Sequence, residues 1–225
     1  MTADETFSLF AGLNDEARAE LARLATIVSL DRGALFFRQG GAADRCFYLL
    51  HGQVKLAQIT ADGKQVIPRL VQPRQMFGGV AAWSGTTYPV TAEAILPSRA
   101  YAWPGPLLFD FMQAHPTVLV AALRFVSQRL LDVQDRLCDW TLGSIDRRLA
   151  KRLLDLSATA ASGLTREVQG LSRQDMAEMI GTTLYSVSRI LQGWKADGLV
   201  EVGRRRVRIL DRNALATIAG TSKDP

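Results

Sequence analysis

Side chains that commonly hold metal ions are scarce in this chain of 225 residues, which has two cysteines and two histidines. Cys46 and Cys138 lie far apart in the sequence and form no Cys-x-x-Cys pair, a pattern that argues against a disulfide framework or a zinc knuckle. An iron-sulfur cluster takes about four thiolate ligands, so one chain cannot supply them. His51 and His115 are likewise too few for a cupin-like metal oxygenase, which uses about two or three histidines and a carboxylate.

Long apolar segments are also missing. The apolar run at 118–123 ends at Arg124, well short of the roughly 20 residues of a membrane span, and the N-terminus lacks the basic and apolar segments of a secretory signal. The sequence has no Gly-x-Ser-x-Gly segment, phosphate-cradling glycine loop or paired carboxylates, which argues against the common enzyme classes. We therefore expect a cytoplasmic protein with no membrane partner and no enzymatic activity.

The excess of positive charge lies at one end of the chain. The net charge is +5, and residues 1–140 hold 13 basic and 13 acidic side chains, whereas residues 141–225 hold 14 basic and 9 acidic ones. A chain of this length accommodates two domains with separate cores. A basic C-terminal domain beside a neutral one favours a polyanion as the partner of the C-terminal domain.

Residues 1–115 predict an antiparallel β-roll. Asn14 is the expected N-cap of a short opening helix with acidic residues in its first turn. Short runs of branched and aromatic residues follow, separated by Gly, Asp or Pro, which is typical of a barrel or roll. Asp62-Gly63 supplies the positive φ that a tight hairpin turn requires. The predicted strands are 25–30, 34–38, 45–50, 54–60, 65–71, 90–95 and 98–103.

Residues 116–142 predict a long dimerisation helix. Beyond Pro116, apolar side chains recur at alternating steps of four and three over about 21 residues, the heptad pattern by which two parallel helices pair. A helix packed only on its own domain is the alternative and normally has a wider apolar stripe; Ala122 and Leu131 widen this one slightly. The predicted dimer seam consists of Leu119, Leu123, Val126, Leu130, Val133, Leu137 and Trp140.

Residues 143–225 predict a winged helix-turn-helix domain. Ser172-Arg173-Gln174-Asp175 has the form of a capping box, which starts a short helix. Gly181 ends that helix, and Thr183 caps a second helix after a short turn, as in a helix-turn-helix. Two strands then enclose the arginine-rich tip of a wing at 203–206. The predicted fold class is therefore α+β.

DNA recognition is assigned to the second helix of this motif and to the wing. The apolar residues from Val187 to Trp194 share one face, so the opposite face should enter the major groove, where Arg189 can bond guanine O6 and N7. The wing arginines are expected to contact phosphates regardless of sequence. The predicted DNA-binding residues are Arg173, Gln174, Thr183, Leu184, Tyr185, Ser186, Ser188, Arg189, Arg204, Arg205 and Arg206.

Four segments carry a family likeness: Phe37-Arg38-Gln39-Gly40, residues 47–54, the long helix after His115-Pro116, and residues 171–175 through 198–200. Together they resemble the CRP/FNR family, the cyclic-AMP receptor protein and the fumarate-nitrate reduction regulators, over nearly the whole chain. The resemblance implies a homodimer whose β-roll binds an effector and whose dimer helices transmit the signal to the helix-turn-helix. It also implies a palindromic double-stranded DNA operator and contact with RNA polymerase.

The effector pocket departs from the pattern of that family. Where the family's cyclic-AMP pocket places Gly-Glu on the ribose and Arg-Ser on the phosphate, this chain has Gly78-Gly79 and Tyr88-Pro89, and Val133-Gln134 replaces the Thr-Ser pair on adenine. A phosphate buried without its cation is strongly disfavoured. We therefore expect an effector other than cyclic AMP. The candidate pocket residues are Gly78, Gly79, Val80, Tyr88, Pro89, Val133 and Gln134.

The identity of the effector stays open at this stage. The thiolate count excludes the iron-sulfur cluster of the oxygen-sensing branch, whereas residues 87–94 resemble the nitric-oxide-responsive regulators of denitrification, some of which bind haem. Cys46, His51, His115 and a few methionines are the candidate axial ligands, so a haem-based sensor is the alternative. An adaptor that binds only protein and a cupin-like metal enzyme are the rivals.

One position of the recognition helix also departs from the family. Tyr185 stands where relatives have a glutamate, which accepts a hydrogen bond from cytosine N4. A tyrosine can instead contact a thymine methyl group or bond a phosphate. The operator half-site is therefore expected to differ from the family consensus at that base pair. The sequence leaves open whether the protein activates or represses.

Overall fold

The computed structural model describes residues 12–158 and 167–221, apart from the side chains of residues 139–142. The chain divides into two compact units. One contains the described residues up to 62 together with 69–134, and the other contains 63–68 together with the described residues from 135 onward. Helices and strands occur in both, so the predicted α+β class is confirmed.

The first unit begins with helix α1, Asp15–Arg23, which Asn14 caps by accepting a hydrogen bond from the Ala17 amide at 2.8 Å. Short strands follow at nearly the predicted positions, and Gly63 has the positive φ, 78°, expected of the hairpin turn. The strands in this part of the chain are β1 Thr26–Leu30, β2 Leu35–Phe37, β3 Arg45–His51, β4 Val54–Ile59, β5 Gln65–Val71, of which residues 65–68 fall in the second unit, β6 Met76–Phe77, β7 Thr91–Ala94 and β8 Ser98–Pro104.

These strands form two four-stranded sheets, with strand orders β1-β8-β3-β6 and β2-β7-β4-β5. The pairs β1 with β8, β3 with β8 and β4 with β7 run antiparallel, which confirms the N-terminal β-roll. Two helices that the sequence pattern did not reveal are α2, Gly79–Ser84, and α3, Gly105–Ala114. Trp103 is buried at the centre of the unit, and its indole Nε1 donates a hydrogen bond to the Leu21 carbonyl at 2.8 Å.

The long helix α4 is Pro116–Leu142, with the bounds that the sequence predicted. Val118 and Ala122 lie on the side of α4 that packs into the core of the first unit. Among the described residues, no single helix is long and apolar enough to cross a membrane, and α3 and α4 pass that test only together, across a bend of 118°.

The second unit contains the predicted winged helix-turn-helix. Helix α5, Ile145–Ala158, follows Ser144, whose Oγ accepts a hydrogen bond from the Arg147 amide at 3.2 Å. The winged sheet has the order β10-β11-β9, and its strand β9 and the last helix α8, which packs on α5, were not predicted. The remaining elements are β9 Glu167–Gln169, α6 Arg173–Ile180, α7 Leu184–Ala196, β10 Val200–Gly203, β11 Arg206–Ile209 and α8 Arg212–Ala219.

Candidate functional site

The two helices of the helix-turn-helix are fixed by capping residues that the sequence predicted. Ser172 Oγ accepts a hydrogen bond from the Asp175 amide at 3.0 Å, and the Asp175 carboxylate accepts one from the Ser172 amide at 2.8 Å, which completes the capping box. Gly181 ends α6 with a φ of 66°. Thr183 then caps α7 by accepting a hydrogen bond from the Ser186 amide at 3.1 Å. These contacts fix where the recognition helix α7 begins and how its first turn is oriented.

Helix α7 has a buried face and an exposed face. Val187 and Leu191 are fully buried on the first. Tyr185 and Arg189, four residues apart and therefore on one side of a helix, are both exposed on the second. No hydrogen bond or ion pair of the Arg189 guanidinium is found within the described residues, so its donors remain available for an external acceptor.

Three polar residues predicted to contact DNA, Arg173, Gln174 and Ser188, make hydrogen bonds within the unit. Arg173 Nη1 donates a hydrogen bond to Ser188 Oγ at 3.5 Å, which connects the start of α6 to the middle of α7. Gln174 Nε2 donates to Glu178 Oε1 at 2.9 Å on the exposed side of α6. Arg173 and Ser188 are both half-buried, so their hydrogen bond stabilises the packing of α6 against α7.

The wing differs in one respect from the sequence prediction. Gly203 pairs with Arg206 at the end of the β10–β11 ladder, so Arg204 and Arg205 alone form the connecting turn. Arg206 lies in β11 rather than at the tip, and its guanidinium is 3.5 Å from Glu167 and 3.4 Å from Glu201. The prediction that all three arginines lie at the tip was therefore wrong. The turn is only two residues long, and Arg206 lies in the strand that follows it.

The turn of the wing has a strained backbone at one arginine. Arg205 has a φ of 55°, in the left-handed region that favours glycine. The Gly170 amide donates a hydrogen bond to the Arg205 carbonyl at 2.9 Å, so the segment that follows β9 holds the turn in this conformation. Both turn arginines are exposed.

In the β-roll, Tyr88 occupies the interior of the candidate effector pocket. Its side chain is only 3% exposed and stacks on Phe37, with ring centroids 3.8 Å apart and ring planes at 11°. Tyr88 Oη donates a hydrogen bond to the Arg45 carbonyl at 2.8 Å and accepts one from the Arg45 amide at 3.1 Å. Burial raises the pKa of the Tyr88 hydroxyl, and its hydrogen bond to the Arg45 backbone opposes that effect.

A cavity of about 340 Å³ adjoins this stack, with Phe36, Phe47 and Tyr88 in its apolar wall and Arg38, Asp44 and Arg45 also among its lining residues. Phe36 meets Phe77 edge to face at 5.1 Å, and Phe47 stacks on Phe77 at 5.1 Å. The interior of the roll around Tyr88 is therefore filled by aromatic rings.

The other candidate pocket residues have diverse environments. Gly78 has a φ of 76° and is the N-cap of α2, and an added Cβ there would lie within 3.3 Å of both Phe37 and Phe47. Gly79 is buried, and an added Cβ would lie 3.0 Å from the Trp83 ring. Val80 and Pro89 are exposed.

The predicted dimer seam forms an exposed apolar stripe along α4. Leu123 is 68% exposed and Leu137 is 64% exposed, although both are large apolar side chains that are usually buried. The exposed seam residues are Leu119, Leu123, Val126, Leu130, Val133 and Leu137. The side chain of Trp140, the last predicted seam residue, lies outside the described residues, and Gln134 is exposed on α4 beside Val133.

The candidate haem ligands do not share one environment. Cys46 is fully buried in the core of the first unit, and this burial raises the pKa of its thiol to about 12. His51 is exposed at the end of β3. His115 joins α3 to α4, where its ring centroid lies 4.3 Å from that of Phe111.

Both halves of the chain match models of known domain families. A model described as a Crp-like helix-turn-helix domain matches residues 147–218, and one described as a cyclic nucleotide-binding domain matches residues 27–115. The two matches lie on the two regions described above, the winged helix-turn-helix and the β-roll.

Similarity to known proteins extends over most of the chain. The CRP-like cAMP-activated global transcriptional regulator of Mycobacterium tuberculosis is 25% identical over 211 residues, which cover 92% of this chain and 94% of that protein. The transcriptional activator protein FnrA of Stutzerimonas stutzeri is 27% identical over 198 residues, covering 87% and 81%. The solved structure of FixK2 from Bradyrhizobium japonicum shares the fold, with a TM-score of 0.77 over 86% of this chain and 96% of that one at 21% identity. Both sequence relatives are transcription regulators.

Proposed function

Because this chain belongs to the CRP/FNR family of DNA-binding transcription regulators, we propose that it acts as a homodimer on a palindromic operator and responds to an effector other than cyclic AMP. Its site of action is then the cytoplasm, where it meets DNA and RNA polymerase. The proposal is carried by one observation: Arg189 on the recognition helix is exposed and makes no ion pair or hydrogen bond with another described residue.

The DNA-binding part of the proposal rests on complementary charge and shape. An α-helix fits the major groove of B-form DNA, where an arginine can donate two hydrogen bonds to one guanine. Arg204 and Arg205 in the exposed turn of the wing add cations suited to phosphates. Arg206 is ion-paired with Glu167 and Glu201, so we propose that it supports the wing itself rather than a phosphate contact.

The homodimer is supported by the exposed seam on α4. Leu123, Leu130 and Leu137 are spaced by seven residues and are all more than half exposed. A heptad stripe of this kind buries itself against an identical helix, and a twofold axis between two copies makes the operator palindromic. The second copy would cover side chains that the first unit leaves in contact with water.

The effector is proposed to differ from cyclic AMP because the chain has no arginine at the sequence position of the family's Arg-Ser pair. Tyr88 stands there instead, and its side chain is already stacked on Phe37 and hydrogen-bonded to the Arg45 backbone. A nucleotide phosphate at this position would have to displace the Tyr88 ring, and the two arginines that line the adjoining cavity, Arg38 and Arg45, are exposed rather than buried beside it. The Trp83 ring packs against Gly79 and leaves little space there for the glutamate side chain that binds the ribose in the family.

Capture of genomic DNA tests the proposal. Fragments retained by the purified full-length protein are sequenced, and retention is measured across a salt series. We expect an enriched inverted repeat and a steep fall of affinity with salt. Retention of random fragments alone would contradict a sequence-specific regulator. Calorimetric titration with cyclic AMP is the second arm: micromolar binding would overturn the effector assignment and leave the DNA-binding assignment intact.

A further inference from the structure

The recognition helix exposes two apolar side chains in its first turn. Leu184 is 48% exposed and Tyr185 is 75% exposed, whereas Val187 and Leu191 of the same helix are fully buried. The first turn is the part of a recognition helix that contacts base edges. Exposed apolar surface at this position has no role in the core of the unit.

The first turn of α7 contains no carboxylate or amide side chain, the groups that recognise cytosine and adenine directly, and Gln192 lies about two turns further along the helix. The segment Leu184–Ala196 contains no aspartate or glutamate, so no carboxylate can accept a hydrogen bond from cytosine N4. The Ser188 hydroxyl already accepts a hydrogen bond from Arg173. The two large exposed side chains of the first turn, Leu184 and Tyr185, are mostly apolar, and the apolar group in the major groove is the 5-methyl group of thymine.

Charge identifies DNA as the occupant of this surface. The unpaired Arg189 lies one turn beyond Tyr185, and the wing adds Arg204 and Arg205. Leu184 and Arg189 are separated along the helix axis by about 7.5 Å, at about 1.5 Å per residue. This distance corresponds to about two base-pair steps of B-form DNA, which rises about 3.4 Å per step.

We propose that Leu184 and Tyr185 recognise thymine methyl groups about two base pairs from the guanine that Arg189 contacts. The inference rests on the proposed function, because it concerns the operator half-site that the recognition helix enters. It makes the first turn of α7 a specificity determinant with an apolar rather than a hydrogen-bonding readout.

Replacement of thymine by deoxyuridine tests the proposal. The duplex most enriched in genomic capture is synthesised with each half-site thymine replaced in turn by deoxyuridine, which removes the methyl group and leaves the base-pairing edge unchanged. We expect about a fourfold loss of affinity at one or two positions, the effect of burying one methyl group. Leu184→Ala together with Tyr185→Ala should bind the thymine and deoxyuridine duplexes equally, and Tyr185→Phe should retain the preference for thymine.

Three outcomes would overturn the proposal. The first is equal affinity of the wild type for thymine and deoxyuridine at every position of a duplex that it binds specifically, which leaves the proposed function intact. The second is an equal loss on both duplexes for Tyr185→Phe, which would assign the hydroxyl to a phosphate. The third is a change in the oligomeric state of the double variant without DNA, which would assign the pair to contact between copies. Absence of binding to any duplex would overturn the proposed function as well.

Discussion

The ring of Tyr88 lies flat on the ring of Phe37, with centroids 3.8 Å apart, and its hydroxyl is bonded to both the amide and the carbonyl of Arg45. The side chain is thus held on its face by an aromatic ring and at its tip by the backbone of β3. A residue held in this way belongs to the core of the β-roll. Under the proposed function, the same contacts would disfavour a cyclic nucleotide, which would have to displace this ring.

Truncation of Tyr88 should therefore destabilise the β-roll. Tyr88→Ala removes a buried ring and is expected to lower the free energy of unfolding by about 3 to 5 kcal/mol. Tyr88→Phe keeps the stack but leaves two backbone groups of Arg45 without their partner, at a cost of about 1 to 3 kcal/mol. Urea unfolding followed by circular dichroism measures both. The exposed neighbour provides the control Pro89→Ala, and a Tyr88→Ala variant as stable as this control would contradict the account.

Stability should fall in alkaline solution because of two buried acids. Burial raises the pKa of Cys46 from 9.0 to about 12 and also raises that of Tyr88. Both groups keep their protons in the folded chain at pH values where the unfolded chain loses them. Their contribution is complete below about pH 9 and declines as the pH rises toward 12.

Unfolding by urea between pH 8 and pH 11 measures this decline, because the series starts below the ordinary thiol pKa of 9.0 and ends between that value and the raised pKa of about 12. Cys46→Ala should flatten the dependence. Cys138→Ala is the matched control, since Cys138 is exposed, and should follow the wild type. An equal slope in the wild type and Cys46→Ala would contradict the prediction for the thiol.

Much of the fold follows from local sequence signals. Pro116 starts α4, Gly143 follows its end, and the capping box at Ser172 starts α6, because each of these features acts on the backbone within a few residues. The position of Tyr88 has no comparable local signal. Its burial depends on Phe37 and Arg45, which the strand pairing brings next to it from distant parts of the chain.

The wing shows the same limit. Gly203 is the residue that local preference places at a positive φ, but it lies in the ladder opposite Arg206, and Arg205 has the positive φ instead. This register depends on β9, whose three residues are too few for a clear alternating pattern. The sequence thus predicts a basic wing and the residues near its tip, whereas tertiary pairing decides which of them are at the tip.

Arg189 and Arg205 should have different roles in DNA binding. Arg189→Ala is expected to cost about 1 to 3 kcal/mol of binding free energy on the operator and to relax specificity at one base pair. Arg205→Ala should weaken operator and random DNA by the same factor and reduce the salt dependence. Fluorescence anisotropy on both duplexes measures the two effects. Equal losses on operator and random DNA for both variants would contradict this division.

The strained turn of the wing should be stabilised by glycine. Arg205→Gly relieves the positive φ of 55° and is expected to raise the free energy of unfolding by about 0.5 to 1 kcal/mol, although it weakens DNA binding by removing a cation. Arg204→Gly is the control, because Arg204 is not at a positive φ, and it should lower stability slightly. Thermal unfolding measures both. A higher stability for Arg204→Gly than for Arg205→Gly would contradict the prediction.

Dimerisation should depend on the seam and not on exposed leucines in general. Leu130 and Leu131 are adjacent and similarly exposed, but only Leu130 lies on the heptad stripe. Leu130→Glu places two like charges at the axis and is expected to give a monomer with much weaker operator binding, whereas Leu131→Glu should remain a dimer. Size-exclusion chromatography with light scattering compares them. A dimer from Leu130→Glu and a monomer from Leu131→Glu would assign the interface to another face of α4.

Sedimentation velocity of the wild-type protein, alone and with the operator duplex at low salt, tests the central claim most directly. We expect a species of about twice the 24.7 kDa chain mass, which binds one duplex per two chains. A single chain that never associates at any concentration, and that does not co-sediment with the duplex, would contradict it.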